Sequence, residues 1–197
     1  AVVVGETFRF GHRQQGDFAL LAVLGKQHGF ETHAVRPVSI GGSAVSSTRV
    51  RDLLRQGHVE LCRRLLCRPI SLHGPIVSGR GVGTRLTVPT LNLNPETEIL
   101  PAQGVYVTET HDSQSGHCWP SVTNIGSRPT FDGYGIHVET HLLSSLMGKA
   151  PKHIKLLFYR RLRDEMKFES PERLRQQILT DAGQAKRFFR RLRAVGV

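Results

Sequence analysis

Cysteine is scarce in this 197-residue chain. Cys62, Cys67 and Cys118 are three, an odd number without a C-x-x-C pair or metal-ligand spacing, which excludes a disulfide framework and reads as reduced thiols in a cytoplasmic protein. Long apolar runs are missing as well. No stretch approaches the ~18 to 20 apolar residues that span a bilayer, and Ala1-Val2-Val3-Val4 meets Gly5-Glu6 too soon for a signal peptide, so neither membrane insertion nor secretion is expected. Aromatic residues make up 7% and are scattered mostly singly outside Phe8 to Phe10, which leaves no platform on which single-stranded nucleic acid would stack. Internal repeats and low-complexity segments are absent. Acidic residues are in deficit, 16 against 27 Lys and Arg for a net charge of +11, and such a surface attracts phosphate in some form. Most of the excess lies between residues 151 and 197, where 13 Lys and Arg face 5 Asp and Glu.

What is present reads as two kinds of grammar. Val2 to Val4 form a β-branched run ended by Gly5. Asp17 precedes Phe18, Leu20, Leu21, Val23 and Leu24 as an N-cap before an amphipathic helix that stops near Gly29. Thr32 to Ile40 reads as a second strand broken by Gly41-Gly42. Ser46-Ser47-Thr48 starts a helix with Val50, Leu53 and Leu54 at helical spacing, and Val59 to Leu66 forms another before Pro69. Strand, helix, strand, helix belongs to a parallel α/β sheet. At about 67 residues, opening inside a strand, this section is expected to be the tail of such a domain. From residue 69 the pattern shifts to short strands, Ser71 to Ser78, Thr87 to Leu93, Val105 to Thr110, Cys118 to Ile125, Ile136 to Leu143 and Ile154 to Tyr159, which argue for an antiparallel barrel or sandwich. Ser170-Pro171-Glu172 then opens a closing helix with Leu174, Ile178, Ala182 and Ala185 on one face.

Two segments carry residues suited to chemistry. A glycine-rich turn with Gly79, Arg80, Gly81 and Gly83 runs into Thr87-Val88-Pro89-Thr90-Leu91-Asn92. Glycines let backbone N–H groups approach phosphate, and period two puts Thr90 and Asn92 on one face, where hydroxyl and carboxamide oxygens are hard ligands suited to Mg²⁺. The same residues also suit a simple turn and strand. In the second segment His137, Glu139 and His141 alternate with Ile136, Val138 and Leu142, the latter set expected to pack inward. Metal ligation, a general base and a polar face open to water all fit. His137 and His141 stand ~13 Å apart at ~3.3 Å per residue, too far to share one ion on a straight strand.

Taken together, Pro89-Thr90-Leu91-Asn92, Gly104-Val105-Tyr106, Asn124 to Phe131, Val138-Glu139-Thr140-His141 and Arg161 to Phe168 occur in one order, and the chain from residue 69 to about 190 resembles the riboflavin kinase module of the bacterial bifunctional riboflavin kinase/FAD synthetase family. Leu91 replaces an alanine usual in that family's signature, and Thr87-Val88 replaces Gly-Phe. Val4 to Gly11 and Val45 to Arg51 resemble the second half of the family's FMN adenylyltransferase domain, although Thr7 stands where Asp is common. The family's His-x-Gly-His element has no counterpart here. The resemblance implies an α/β fragment, the C-terminal half of a Rossmann-like nucleotidyltransferase, over residues 1–67, followed over 68–197 by an antiparallel β-barrel with a C-terminal helix.

It also implies a reaction: ATP phosphorylates riboflavin to FMN with Mg²⁺, and FAD synthesis from FMN belongs to a fuller form of the protein. Thr90 and Asn92 would hold the metal, Glu139 would accept the proton of the attacking hydroxyl, and His141 would support the strand face. Gly79, Arg80, Gly81, Gly83, Asn124, Arg128 and Arg163 would contact nucleotide and flavin, with the Asn124 to Phe131 loop and the Arg163 to Phe168 turn as flaps. Ser46, Ser47, Thr48 and Arg51 would cradle phosphate at a helix start, where unpaired N–H groups and the helix dipole favour anions. Riboflavin, ATP and FMN are the partners expected, without nucleic acid or membrane. The alternative from another class is a basic nucleic-acid-binding barrel.

Overall fold

The computed structural model describes residues 1–77, 89–130, 133–146 and 149–194, with the side chains of 128–130, 133 and 134 outside the description. It divides into two compact units, Ala1–Ser47 and Thr48–Val197. In the first, β1 (Val2–Gly5) pairs in parallel with β2 (Thr32–Val35), Val3 opposite His33. Between them runs α1 (Phe18–His28). Asp17 caps it by accepting the Leu20 N–H at 3.0 Å, a bond that, aided by Arg9, holds its carboxyl below the usual range against some desolvation. Gly29, at φ 74°, closes the other end in the left-handed region that glycine tolerates.

The expected strand Thr32 to Ile40 is interrupted. After β2 the chain forms a separate two-stranded hairpin of β3 (Ser39–Ile40) and β4 (Ser43–Ala44). The cause is the glycine pair: Gly41 and Gly42 have φ of 63° and 74°, and two successive positive φ values make the tight reversal whose twist suits a two-residue hairpin.

The second unit begins with α2 (Ser47–Arg55, of which Ser47 closes the first unit) and α3 (Val59–Leu66). Six strands follow: β5 (Ile70–Val77), β6 (Thr90–Leu93), β7 (Gly104–Asp112), β8 (Cys118–Thr130), β9 (Gly133–Leu142) and β10 (His153–Arg163). They close into an antiparallel barrel in the order β10-β5-β6-β9-β8-β7, so the barrel is chosen over the sandwich and no edge is left exposed. Helix α4 (Pro171–Ala194) ends the chain.

Two cores result from strand alternation. Inside the barrel, Leu72, Leu91, Leu93, Tyr106, Trp119, Ile125, Val138, Leu142, Ile154, Leu156 and Phe158 pack with Leu54 of α2 and with Val59 and Cys62 of α3. Outside it, Val105, Val107 and Val122 are covered by Ala185 and Phe189 of α4. Ile136, expected to pack with Val138 and Leu142, is instead 54% exposed. It lies where β8 and β9 pair with each other beyond Gly104, the last β7 residue paired with β8, so among the described residues no third strand supplies a core beneath it.

The barrel interior also holds polar groups that the alternation of apolar residues did not announce. Thr108, Thr110, Ser121, Thr123 and Thr140 are fully buried, and their hydroxyls form a closed circuit. Thr123 donates to Thr140 at 2.9 Å and Thr110 to Ser121 at 2.8 Å. Contacts of 3.4 Å between Thr140 and Thr110, 2.8 Å between Ser121 and Thr108, and 2.7 Å between Thr108 and Thr123 complete it. The two assigned directions run the same way round. Each hydroxyl can therefore donate once and accept once, which offsets the cost of taking it out of water.

Candidate active site on the outer barrel wall

Because Leu91, Leu93, Val138 and Leu142 point inward, Thr90, Asn92, Glu139 and His141 point outward from neighbouring strands. Register brings them together: Asn92 is opposite Glu139 across β6 and β9, and Asn124 is opposite Glu139 across β9 and β8. The carboxylate thus lies between two carboxamides on one rung, with directly opposed Cβ atoms about 5 Å apart in such pairs. The rung continues through Val105 of β7 to Arg163 of β10. One rung along, Thr90 is opposite His141, and Thr90 Oγ1 and His141 Nδ1 lie 2.8 Å apart. Burial pushes the His141 imidazole toward its neutral form, while the Glu139 and Asp181 carboxylates pull the other way and the net shift is downward.

Arg163 reaches its rung through two irregularities in the β10–β7 pairing, between Phe158 and Arg160 and between Arg161 and Arg163. The first sets Arg161 against Tyr106 on the inner side, and the second returns Arg163 to the outer wall; such bulges re-aim side chains. There Nη2 of Arg163 donates to Asp181 Oδ2 at 2.8 Å, Nε also donates to that carboxylate, and Nη1 donates to the Asp164 carbonyl at 2.9 Å. The Asp181 side chain is 3% exposed and that of Arg163 19%, so either one alone would be a poorly solvated charge. The guanidinium also lies 5.8 Å from the Phe168 ring centre. Arg163 therefore ties α4 and the segment 164–168 to the barrel wall. Sequence reasoning missed Asp181. The signal was there: it falls three residues after Ile178 and four before Ala185, inside the apolar stripe of the helix.

The Asn124 to Phe131 loop is corrected by the structure: Asn124 to Thr130 belong to β8, and they pair with β9 as a long ribbon. Hydrogen bonding along the ribbon accounts for the extended form despite Gly126 and Pro129. Gly126 leaves room for two side chains there, since a Cβ would stand 2.2 Å from Glu165 Oε1 and 2.7 Å from His137 Cε1 and would make them shift. Glu165, from the segment after β10, thus lies over the same outer face one rung beyond Glu139.

Gly79, Arg80, Gly81 and Gly83 fall outside the described residues, as does the Arg128 side chain. Ser46 and Ser47 close the first unit, and Thr48 and Arg51 lie in the second, on the opening turns of α2. Among the described residues no group of three or more His, Cys, Asp and Glu side chains could hold a metal. Thr90 and Asn92 carry oxygen donors of the kind that a hard cation takes together with water.

Fold and site define a closed six-stranded barrel with an oxygen-rich polar face on its outer wall, bordered by a C-terminal helix. Residues 66–189 match the riboflavin kinase family model, and residues 1–49 match that of FAD synthetase. The chain belongs to the riboflavin kinase family. It is 35% identical over 188 residues to the bifunctional riboflavin kinase/FMN adenylyltransferase of Escherichia coli K12, covering 95% of this chain and 60% of that protein. With the Pseudomonas fluorescens protein of the same description it shares 36% identity, over 93% of this chain and 58% of the relative. The chain thus spans about 60% of the length of these relatives. A crystal structure described as a macrolide-efflux protein from Streptococcus pneumoniae superposes with a TM-score of 0.81 at 26% identity, covering 92% of this chain and 58% of that one. No helix among the described residues is long and apolar enough to cross a membrane.

Proposed function

We propose that this chain transfers the terminal phosphoryl group of ATP to the 5′-hydroxyl of riboflavin, forming FMN and ADP in the cytoplasm. The observation that carries the reading is the rung Asn92, Glu139, Asn124, with Thr90 one rung away on the same outer face. In phosphoryl transfer, positioning and electrostatics dominate, and the protein's covalent part is small. Glu139 accepts the proton of the riboflavin hydroxyl as the oxygen attacks phosphorus. Asn92 and Asn124, on either side, keep the carboxylate in line. Thr90 and Asn92 would hold Mg²⁺, which when bound neutralises charge on the phosphate oxygens. Asp181 and Arg163 fix the segment 164–168, and Glu165 borders the flavin side. Gly79, Arg80, Gly81, Gly83 and Arg128 complete the nucleotide contacts in this reading.

In catalytic terms we assign residues 68–197 to the kinase and 1–67 to part of an FMN adenylyltransferase, where Ser46, Ser47, Thr48 and Arg51 would face phosphate. The test is an assay with riboflavin and Mg-ATP, followed for FMN and then FAD. FMN is expected, and FAD is not, because this sequence lacks a His-x-Gly-His element to stabilise charge on the α-phosphate. Glu139→Gln should lower turnover about 10²- to 10⁴-fold, the range for losing a general base, with riboflavin binding and melting temperature retained. Turnover near the parental value at saturating ATP would remove Glu139 from the mechanism.

A further inference from the structure

The resemblance to riboflavin kinases places Arg163 among the contacts to nucleotide and flavin, yet all three of its guanidinium nitrogens are engaged within the protein. Nε and Nη2 donate to Asp181, Nη1 donates to the Asp164 carbonyl, and the Phe168 ring stands over the group at 5.8 Å. Asp181 is held in its turn: Gln177, one helical turn earlier on α4, donates to its Oδ1 at 2.9 Å. Burial decides which contact holds the chain. The Asp181 side chain is 3% exposed, whereas Asp164, paired with Arg161, is 82% exposed, and an ion pair open to water contributes little. The chain after β10 is therefore fastened at the Asp164 carbonyl, through Arg163, to the helix.

What this fastening places is the segment 164–168. Glu165 lies against Gly126 and accepts the Ser127 N–H at 3.5 Å. Gly126 pairs with His137, one rung from Glu139 on the side away from Thr90 and His141. Attacking and leaving oxygens stand roughly in line in phosphoryl transfer. With the nucleotide's cation at Thr90 and Asn92, the acceptor comes to Glu139 from the Gly126 side.

We propose that Arg163 and Asp181 are positioning residues that hold the segment 164–168 on the acceptor side of Glu139, setting the affinity for riboflavin while touching neither substrate. This rests on the kinase reading above. A segment in place about a tenth of the time lowers apparent affinity about tenfold.

The test uses the full chain, with riboflavin binding followed by flavin fluorescence in the presence of Mg-ADP, ADP binding by calorimetry, and turnover alongside. Asp181→Asn keeps the shape and an acceptor oxygen but loses the charge. Arg163→Lys keeps the charge but loses the planar fork. The paired variant Arg163→Met with Asp181→Leu leaves no unpaired charge in the barrel wall and so keeps the test open if a single variant folds poorly. Each should raise the riboflavin Kd and KM about tenfold, with the ADP Kd and the ATP KM within about twofold of the parent. Because the two residues act as one, the paired variant should be no worse than the single ones, whereas independent contributions would multiply. If Arg163→Lys raises the ATP KM while Asp181→Asn leaves both constants unchanged, Arg163 contacts the nucleotide and the proposal fails. Parental riboflavin affinity in the paired variant overturns it too. A lowered melting temperature with both affinities weakened alike would make the pair merely structural, against the proposal. A parent that forms no FMN would overturn the kinase reading itself, and this assignment with it.

Discussion

In the Ala1–Ser47 unit, Val3 is 62% exposed and Val38 66%, whereas Tyr106, Ile125 and Phe158 of the barrel are at 0%. Both regions obey local rules equally well. Asp17 caps α1 and Gly41-Gly42 turn a hairpin as cleanly as any signal in the barrel does. Yet α1 contributes one buried residue, Gly25, and β1 and β2 make a sheet of only two strands. The barrel pairs every strand with two neighbours and buries side chains on both of its faces, inward among themselves and outward beneath α4. In the barrel it is closure that turns alternation into burial. The polar rung sits on the region that has closed, where neighbouring strands cannot slip without expelling Leu91, Val138 and Ile125 from the interior.

The comparison breaks first, if it is wrong, on core truncation. Phe158→Ala should destabilise the barrel by about 3 to 5 kcal/mol. Phe8→Ala, removing a ring that is partly exposed and stacked on Phe10 at 5.7 Å, should cost about 1 kcal/mol or less. Urea unfolding of the two variants measures both, and similar losses would show that the first unit has a core as consequential as that of the second.

Alkaline titration comes next. The Tyr106 hydroxyl, buried and donating to the Ala102 carbonyl at 2.5 Å, has its pKa raised to about 12, chiefly because burial disfavours the phenolate. A folded pKa above the unfolded value of 10 favours the protonated form in the fold. Its contribution is whole below pH 10 and is lost as pH climbs from 10 toward 12, by about 2 to 3 kcal/mol over the two units. Stability measured through that window should fall, and Tyr106→Phe should flatten this part of the decline; an unchanged slope would refute the assignment.

A smaller difference is expected from the hydroxyl circuit. Thr123→Val opens it and leaves Thr108 and Thr140 short of a partner in the dry interior, at about 1 to 3 kcal/mol. Thr180→Val removes a hydroxyl on an exposed face of α4 that bonds the Gln176 carbonyl at 3.0 Å, and should change stability by no more than about 0.5 kcal/mol. Equal thermal shifts for the two would mean that the circuit adds nothing beyond ordinary single bonds.

The helices and most strand centres were legible because their signals are short-ranged: Asp17 before an apolar run, Pro171 at a first helical position, Val105 to Thr110 rich in β-branched and aromatic residues. The faces of Thr90, Asn92 and Glu139 were legible for the same reason, since period two is a property of one strand. The stretch Gly126 to Thr130 reads as a loop in sequence because Gly126, Ser127 and Pro129 are turn residues by composition. They became strand only because β9 runs alongside and supplies hydrogen bonds that no local pattern encodes.

By itself, then, the sequence determined which residues alternate along most strands, and it determined the change from helices to strands between Leu66 and Ile70. Only the tertiary structure decided that Asn92, Glu139 and Asn124 share a rung, that Thr90 meets His141, that five hydroxyls close a circuit, and that Asp181 crosses from a helix to hold Arg163. The reason is physical. Alternation is fixed by the geometry of one backbone, whereas register between strands is a relation among segments up to tens of residues apart, set by which shift of the ladder buries the inward side chains and satisfies the polar ones.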